Sequence, residues 1–285
     1  MAPDMELMMT NPNKAFRKLA LPLTFLALFD ALFMVVDVFW GVFLGPEALI
    51  AIGLINPFLY LIRKFGTTIG IGTNSLISRC LGGKKYVEAN NALTHGILLI
   101  IISGILITVT AIPFLYICLK LINYSASFEL VGLYSYPLIL FAIVFLFAEF
   151  FSETLQSEGD SKKLTTYNII GNVINFVLSP ILAFIFKLGV AGLALGTVCG
   201  ALFTAVMLAN MYFIKKSTVV KSTLKNFKFN LYILKEIFNV TIPNFLDRSL
   251  YSFLDIFING ALVVIFGPEA VTSGDSFFSL ILFSI

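Results

Sequence analysis

The chain has 285 residues, 59% of them apolar and only 12% charged, with a mean hydropathy of +0.96 and a net charge of +3. A soluble domain carries about 25% charged and 45–50% apolar residues, so a soluble globular protein is excluded and an all-α polytopic membrane protein is expected. One histidine and three scattered cysteines indicate no disulfide framework, no metal cluster and no Ser-His-Asp chemistry.

Lys14, Arg17 and Lys18 lead straight into an apolar run with no cleavage-site pattern, which reads as an uncleaved first span. Runs of about 20 apolar residues place span 1 at 19–44, span 2 at 49–78, span 3 at 92–119 and span 4 at 130–153. Span 5 follows at 164–186, span 6 at 188–214 and span 7 at 240–266, with 276–285 as the start of span 8. Fourteen of the nineteen Lys and Arg fall in the N-terminus, the 2–3 and 4–5 loops and the 6–7 connection, against Lys120 and Lys187 on the other side. This bias puts the N-terminus in the cytoplasm.

Span 1 carries Asp30 and Asp37 at membrane depth. Each costs roughly 2.5–3.5 kcal/mol on insertion scales, so an intramembrane carboxylate marks an ion or substrate site by default. Seven residues apart, the two share nearly one helix face, about 10 Å from each other. Span 2 holds Arg63 and Lys64 midway, too deep to snorkel comfortably. Either they reach a wet cavity and pair with Asp30 or Asp37, the favoured alternative, or span 2 breaks near Pro57 and Gly66. Glu149 and Glu153 lie on one face near the inner end of span 4, where Lys162 and Lys163 are the expected partners. In span 5, Asn168, Asn172, Asn175 and Ser179 form one stripe, suited to a cavity wall, with Pro180 next. Gly189, Gly192, Gly196 and Gly200 of span 6 suit close helix packing, leaving Thr197 as the side chain there for a site. Asp247, Arg248 and Asp255 give span 7 enough charge for an internal pair.

An internal repeat flanks the basic stretch 215–239. Gly45-Pro46-Glu47-Ala48 recurs 222 residues later as Gly267-Pro268-Glu269-Ala270, and Pro22 recurs 221 later as Pro243. A parallel repeat of six-helix units is a transporter signature, with the site at the repeat interface. The chain thus divides into a cytoplasmic N-terminus (1–18), a six-helix N-lobe (19–214), a basic cytoplasmic linker (215–239) and the first one to two helices of a second lobe (240–285). A membrane-surface amphipathic stretch is the alternative for the linker. A full second unit is expected to need roughly another 170 residues, so a truncated reading frame or a fragment is the expected explanation. No phosphate-binding loop, nucleophile elbow or metal-ligand spacing is present. An ion-coupled secondary transporter is expected, not an enzyme.

Asp37 followed by Gly45-Pro46-Glu47-Ala48 resembles the first helix of multidrug and toxic compound extrusion (MATE) transporters. The run from Gly70 to Arg79 with Gly82, the loop Gln156-Ser157-Glu158-Gly159-Asp160 and the entry Gly189-Val190-Ala191-Gly192-Leu193-Ala194 are similar to that family in the same order. The resemblance implies two six-helix lobes and export of organic, often cationic compounds in exchange for H+ or Na+. It implies a cation site in the N-lobe at Asp37, Asn175, Ser179 and Thr197. Ser179 departs from the family's aspartate, so Asp30 either replaces the missing carboxylate or partners Arg63 and Lys64. Asn168, Asn172, Arg63 and Lys64 are expected in the substrate cavity. Desolvation favours a carboxylate's neutral form and a nearby cation its charged form, so Asp37 is expected to take up the ion outside and release it inside. The expected setting is the cell membrane, with a small organic substrate and the lipid bilayer as partners, no nucleic acid, no cofactor beyond the coupling ion, and a monomer if full length. Two alternatives stand beside this. One is a flippase of lipid-linked oligosaccharides in the same superfamily, whose anionic pyrophosphate suits Arg63 and Lys64. The other is a truncated, non-transporting fragment. At offsets of 222 and 221, Asn259 or Ile258 stands opposite Asp37, so the ion chemistry is expected in the N-lobe.

Overall fold

A computed structural model describes residues 24, 36–122, 128–156, 161–214, 218–221 and 227–266. Asp30 and the second Gly-Pro-Glu-Ala run lie outside them. The described chain is helical throughout: α1 (Val36–Val42), α2 (Pro46–Gly82), α3 (Tyr86–Ile122), α4 (Phe128–Leu140), α5 (Ala142–Gln156), α6 (Ser161–Pro180), α7 (Val190–Phe213) and α8 (Leu231–Phe266). A π-helical turn, Ile181–Ile185, continues α6. Four helices are long and apolar enough to cross a membrane among the described residues, and α4 with α5 make a fifth such unit bent by 51°.

Local chemistry explains the boundaries. Gly45 turns the chain between α1 and α2 at φ 107, a conformation that disfavours any residue with a Cβ. Pro46 then opens α2, where its missing N–H costs nothing, and Glu47 sits at the positive end of the helix dipole. Pro137 removes a rung from α4, and span 4 breaks four residues later at Phe141. Pro180 does the same to α6, where the bond from Phe186 N–H to Ile181 O closes a wider turn.

Two apolar clusters hold the bundle. One gathers Ile69, Ile77, Leu93, Phe150, Phe151, Leu208 and Tyr212 at the end where α2 finishes and α3 begins. The other gathers Ile52, Ile55, Leu59, Leu138, Phe145, Leu193 and Val198 toward the opposite end. Much of the outer face of α3, including Ile102, Ile105, Val109 and Phe114, stays exposed, as lipid contact requires. Glycines set the tightest approach: a Cβ on Gly192 would stand 2.5 Å from Ala183 N, and one on Gly200 2.5 Å from Gly171 O. The packing role expected of the span 6 glycines holds for Gly192, Gly196 and Gly200. Gly189 instead turns the chain at φ 56 and has open space around it.

The basic connection differs from a free linker. Helix α8 starts at Leu231, inside the stretch assigned to the linker, because Ile233 and Ile237 bury against the first cluster while Lys235 faces out. Ahead of it, Val220 is buried and Lys221 N–H donates to Asn90 Oδ1 at 2.8 Å. Asn230 N–H donates to His95 Nε2 at 3.0 Å, with Phe227 and Phe229 against the imidazole.

Candidate functional site

Helix α1 places Asp37 inside the bundle with 7% of its surface exposed. Tyr134 of α4 donates its hydroxyl hydrogen to Asp37 Oδ2 at 2.7 Å, and Thr197 of α7 donates to the same oxygen at 2.9 Å. Thr197 in turn accepts from Asn175 Nδ2 at 2.9 Å, and Asn175 Oδ1 accepts from Ser179 at 3.3 Å. Four side chains expected together on family resemblance thus form one hydrogen-bonded chain drawn from α1, α6 and α7. It depends on the close approach of α6 and α7, where a Cβ on Gly196 would lie 2.7 Å from Ser179 Cα.

The chain ends on an unshared atom. Asp37 Oδ1 is buried and has no hydrogen-bond partner among the described residues. Such an acceptor bears its full desolvation cost, so it is the place where a proton or cation gains most.

Asp37 also lines a cavity of about 250 Å³, together with Asn56, Arg63, Lys64, Asn168 and Asn172. All four residues expected in a substrate cavity therefore reach it. Asn168 is tied down there by bonds from Nδ2 to Leu164 O at 3.0 Å and to Ser152 Oγ at 3.3 Å.

The expected charge partners need correction. Helix α2 is unbroken at Arg63, and this residue pairs with Glu149 of α5 at 2.6 Å rather than with Asp37. Nor does Glu149 turn to Lys162 or Lys163: Arg63 Nε holds its Oε1 at 2.7 Å and Thr67 donates to Oε2 at 3.2 Å. The reason is packing. A Cβ on Gly66 would meet Leu146 O at 2.7 Å, so α5 lies against α2 there and brings Glu149 beside Arg63. Asp37 sits near Asn56, about two turns away along α2. No ion pair joins Asp247 to Arg248 among the described residues, and the side chain of Asp255 lies outside them. Tyr134 and Asn56 were missed: Tyr134 also reaches Asn56 Oδ1 at 3.4 Å, and Pro137 just beyond Tyr134 was the available hint of an irregular helix near a site.

A MatE family model matches residues 22–181, more than half the chain. The chain belongs to the MatE family. Multidrug export protein MepA of Staphylococcus haemolyticus (strain JCSC1435) is 27% identical over 279 residues, 95% of this chain and 60% of that protein. The MepA of Staphylococcus aureus (strain MSSA476) is 30% identical over 280 residues, with the same shares covered. Among solved structures, an outward-facing MATE family multidrug resistance transporter of the MOP superfamily matches with a TM-score of 0.89 at 28% identity, covering 99% of this chain and 62% of that one. A MOP superfamily transporter from Pyrococcus furiosus, described as having a binding pocket of reverse polarity that suggests a different function, matches at 0.88 and 28% identity, covering 98% and 62%. The MatE chain described here therefore spans about 60% of the length of these curated relatives. It is a multi-pass, all-α membrane protein with the fold of MATE transporters.

Proposed function

We propose that this MatE protein takes part in secondary antiport, exporting organic, cationic compounds across the cell membrane in exchange for H+ or Na+, with Asp37 as the coupling-ion residue. One observation carries the proposal: Asp37 is buried in the wall of a cavity, its Oδ2 held by two hydroxyls and its Oδ1 unshared. The membrane cost of such a carboxylate is retained only for a use. Ion occupancy drives transport only through its different affinity for the outward and inward states.

Asn175, Ser179 and Thr197 act as positioning residues for Asp37. Of the two ions, H+ demands the smaller rearrangement. A proton on Oδ1 leaves both hydroxyl bonds to Oδ2 in place, whereas Na+ needs oxygen lone pairs, of which Thr197 Oγ1 now spends one on Asn175 Nδ2–H and Asn175 Oδ1 spends one on Ser179. The excess of Lys and Arg in the loops on one side supports a cytoplasmic N-terminus. Against a flippase of anionic lipid-linked sugars, one of the two cavity cations, Arg63, is already neutralised by Glu149.

The test is efflux of a fluorescent organic cation from vesicles containing the protein, driven by a pH or a Na+ gradient. Asp37→Asn is expected to abolish gradient-driven efflux while leaving the protein folded. Efflux at the unsubstituted rate sinks the assignment.

A further inference from the structure

The cavity is electrically two-ended. At one end is Asp37, beside Asn56; eight residues along α2, about 12 Å away, is Lys64. Asn56, Tyr60 and Lys64 are spaced four apart, so they fall on one face of α2, and all three line the cavity. The charges beside Lys64 are already used: Arg63 and Thr67 between them take both oxygens of Glu149, and the Glu149 and Glu153 carboxylates act on Lys64 only through space. Lys64 differs. Its ammonium lies 4.6 Å from the centroid of the Tyr60 ring and forms no ion pair or hydrogen bond among the described residues.

A cation–π contact offers an ammonium one face and leaves its other N–H donors unspent. Along a face that also meets Asn168 and Asn172 of α6, those donors suit an anionic oxygen of a ligand. A plain organic cation would gain at the Asp37 end alone and leave the Lys64 donors unmet.

We infer that Lys64, seated on Tyr60, is a recognition subsite for an anionic group, so that the cavity prefers organic zwitterions: a cationic end toward Asp37 and a carboxylate or phosphate on Lys64. This rests on the reading above that the cavity receives the substrate, and adds that the substrate is acidic at one end. Arg63 stays outside the subsite because its guanidinium is held by Glu149.

The test compares a rhodamine bearing a free carboxylate, a zwitterion, with the same dye as its methyl ester, a cation. Binding to the protein in detergent is followed by fluorescence anisotropy and transport in vesicles by dye efflux. The unsubstituted protein is expected to bind the acid about ten-fold more tightly than the ester, the gain from one charge-assisted hydrogen bond. Lys64→Gln removes that preference by weakening the acid alone, and Lys64→Arg keeps it. Equal binding of acid and ester by the unsubstituted protein overturns the inference, as does a Lys64→Gln protein that weakens both dyes alike or neither. If the ester is still exported in an Asp37-dependent way, the antiport proposal survives that outcome. If neither dye is bound or moved, both fall.

Discussion

Replacing Gly196 by alanine tests whether the Asp37 network depends on the closeness of α6 and α7. A Cβ at that position would stand 2.7 Å from both Ser179 N and Ser179 Cα and would also collide with Ser179 Oγ. Ordinary contact begins at 3.4 Å, and two of the three obstacles are main-chain atoms that cannot rotate away. The helices must therefore part by about 0.7 Å, at an overpacking cost of about 1–3 kcal/mol. The same shift bears on the bond from Asn175 to Thr197, which crosses this interface at 2.9 Å. Lengthened to about 3.6 Å, it passes beyond hydrogen-bond range, and Thr197 loses the neighbour that orients it toward Asp37. Gly82→Ala, which meets nothing within 4 Å, is the control. Thermal unfolding in detergent is expected to show a lower melting temperature for Gly196→Ala than for Gly82→Ala. Gradient-driven dye efflux is expected to fall with it. A Gly196→Ala protein that melts and transports like the unsubstituted one refutes the dependence.

Two further outcomes follow from the contacts. The Arg63–Glu149 pair is partly exposed, at 44% and 20% of side-chain surface, so its coupling lies nearer surface pairs than buried ones; a double-mutant cycle with Arg63→Ala and Glu149→Ala, read by denaturant unfolding, should give about 1 kcal/mol. His95→Phe keeps the aromatic contacts with Phe227 and Phe229 but loses the acceptor for Asn230 N–H. Limited trypsin digestion should then cut faster after Lys221 and Lys228, and an unchanged rate shows that the imidazole does not hold the connection.

What could be read from the chain depended on whether a signal was periodic or relational. The spans showed in unbroken apolar runs, and Asn175 and Ser179 stood out because helical spacing sets polar residues in a stripe. The Gly45-Pro46 turn was legible because both residues have backbone demands that few positions meet. Arg63 stands out by its depth in an apolar span, but its partner does not: α2 carries no mark that α5 approaches at Gly66, and Glu149 is 86 residues away. Tyr134 carries no charge and sits in an apolar run, so only the folded arrangement gives its hydroxyl a role. Lys235 and Glu236 interrupt the apolar pattern and hide the start of α8, although Ile233 and Ile237 bury on one face and Glu236 pairs with Arg79 at 2.8 Å.

The placement of the network relative to the two apolar clusters bears on how an ion at Asp37 would act. Along α2, one cluster takes residues up to Leu59 and the other begins at Ile69; along α7 the division falls between Val198 and Leu208. Apolar packing therefore clamps each end of the bundle, while the stretch between is held by polar contacts around the cavity. The two irregular backbone points lie close to the network. Tyr134 is seven residues before the break at Phe141, and Ser179 directly precedes Pro180 and its π-helical turn. Segments that have lost backbone rungs bend at lower cost than regular helix. Under the proposed mechanism, a change in what Asp37 accepts is thus felt first by Tyr134 and by the Thr197–Asn175–Ser179 chain, and passes to α4 and α6 at the points least able to resist it. The clusters at either end, packed mainly through apolar side chains, would move as bodies about that belt.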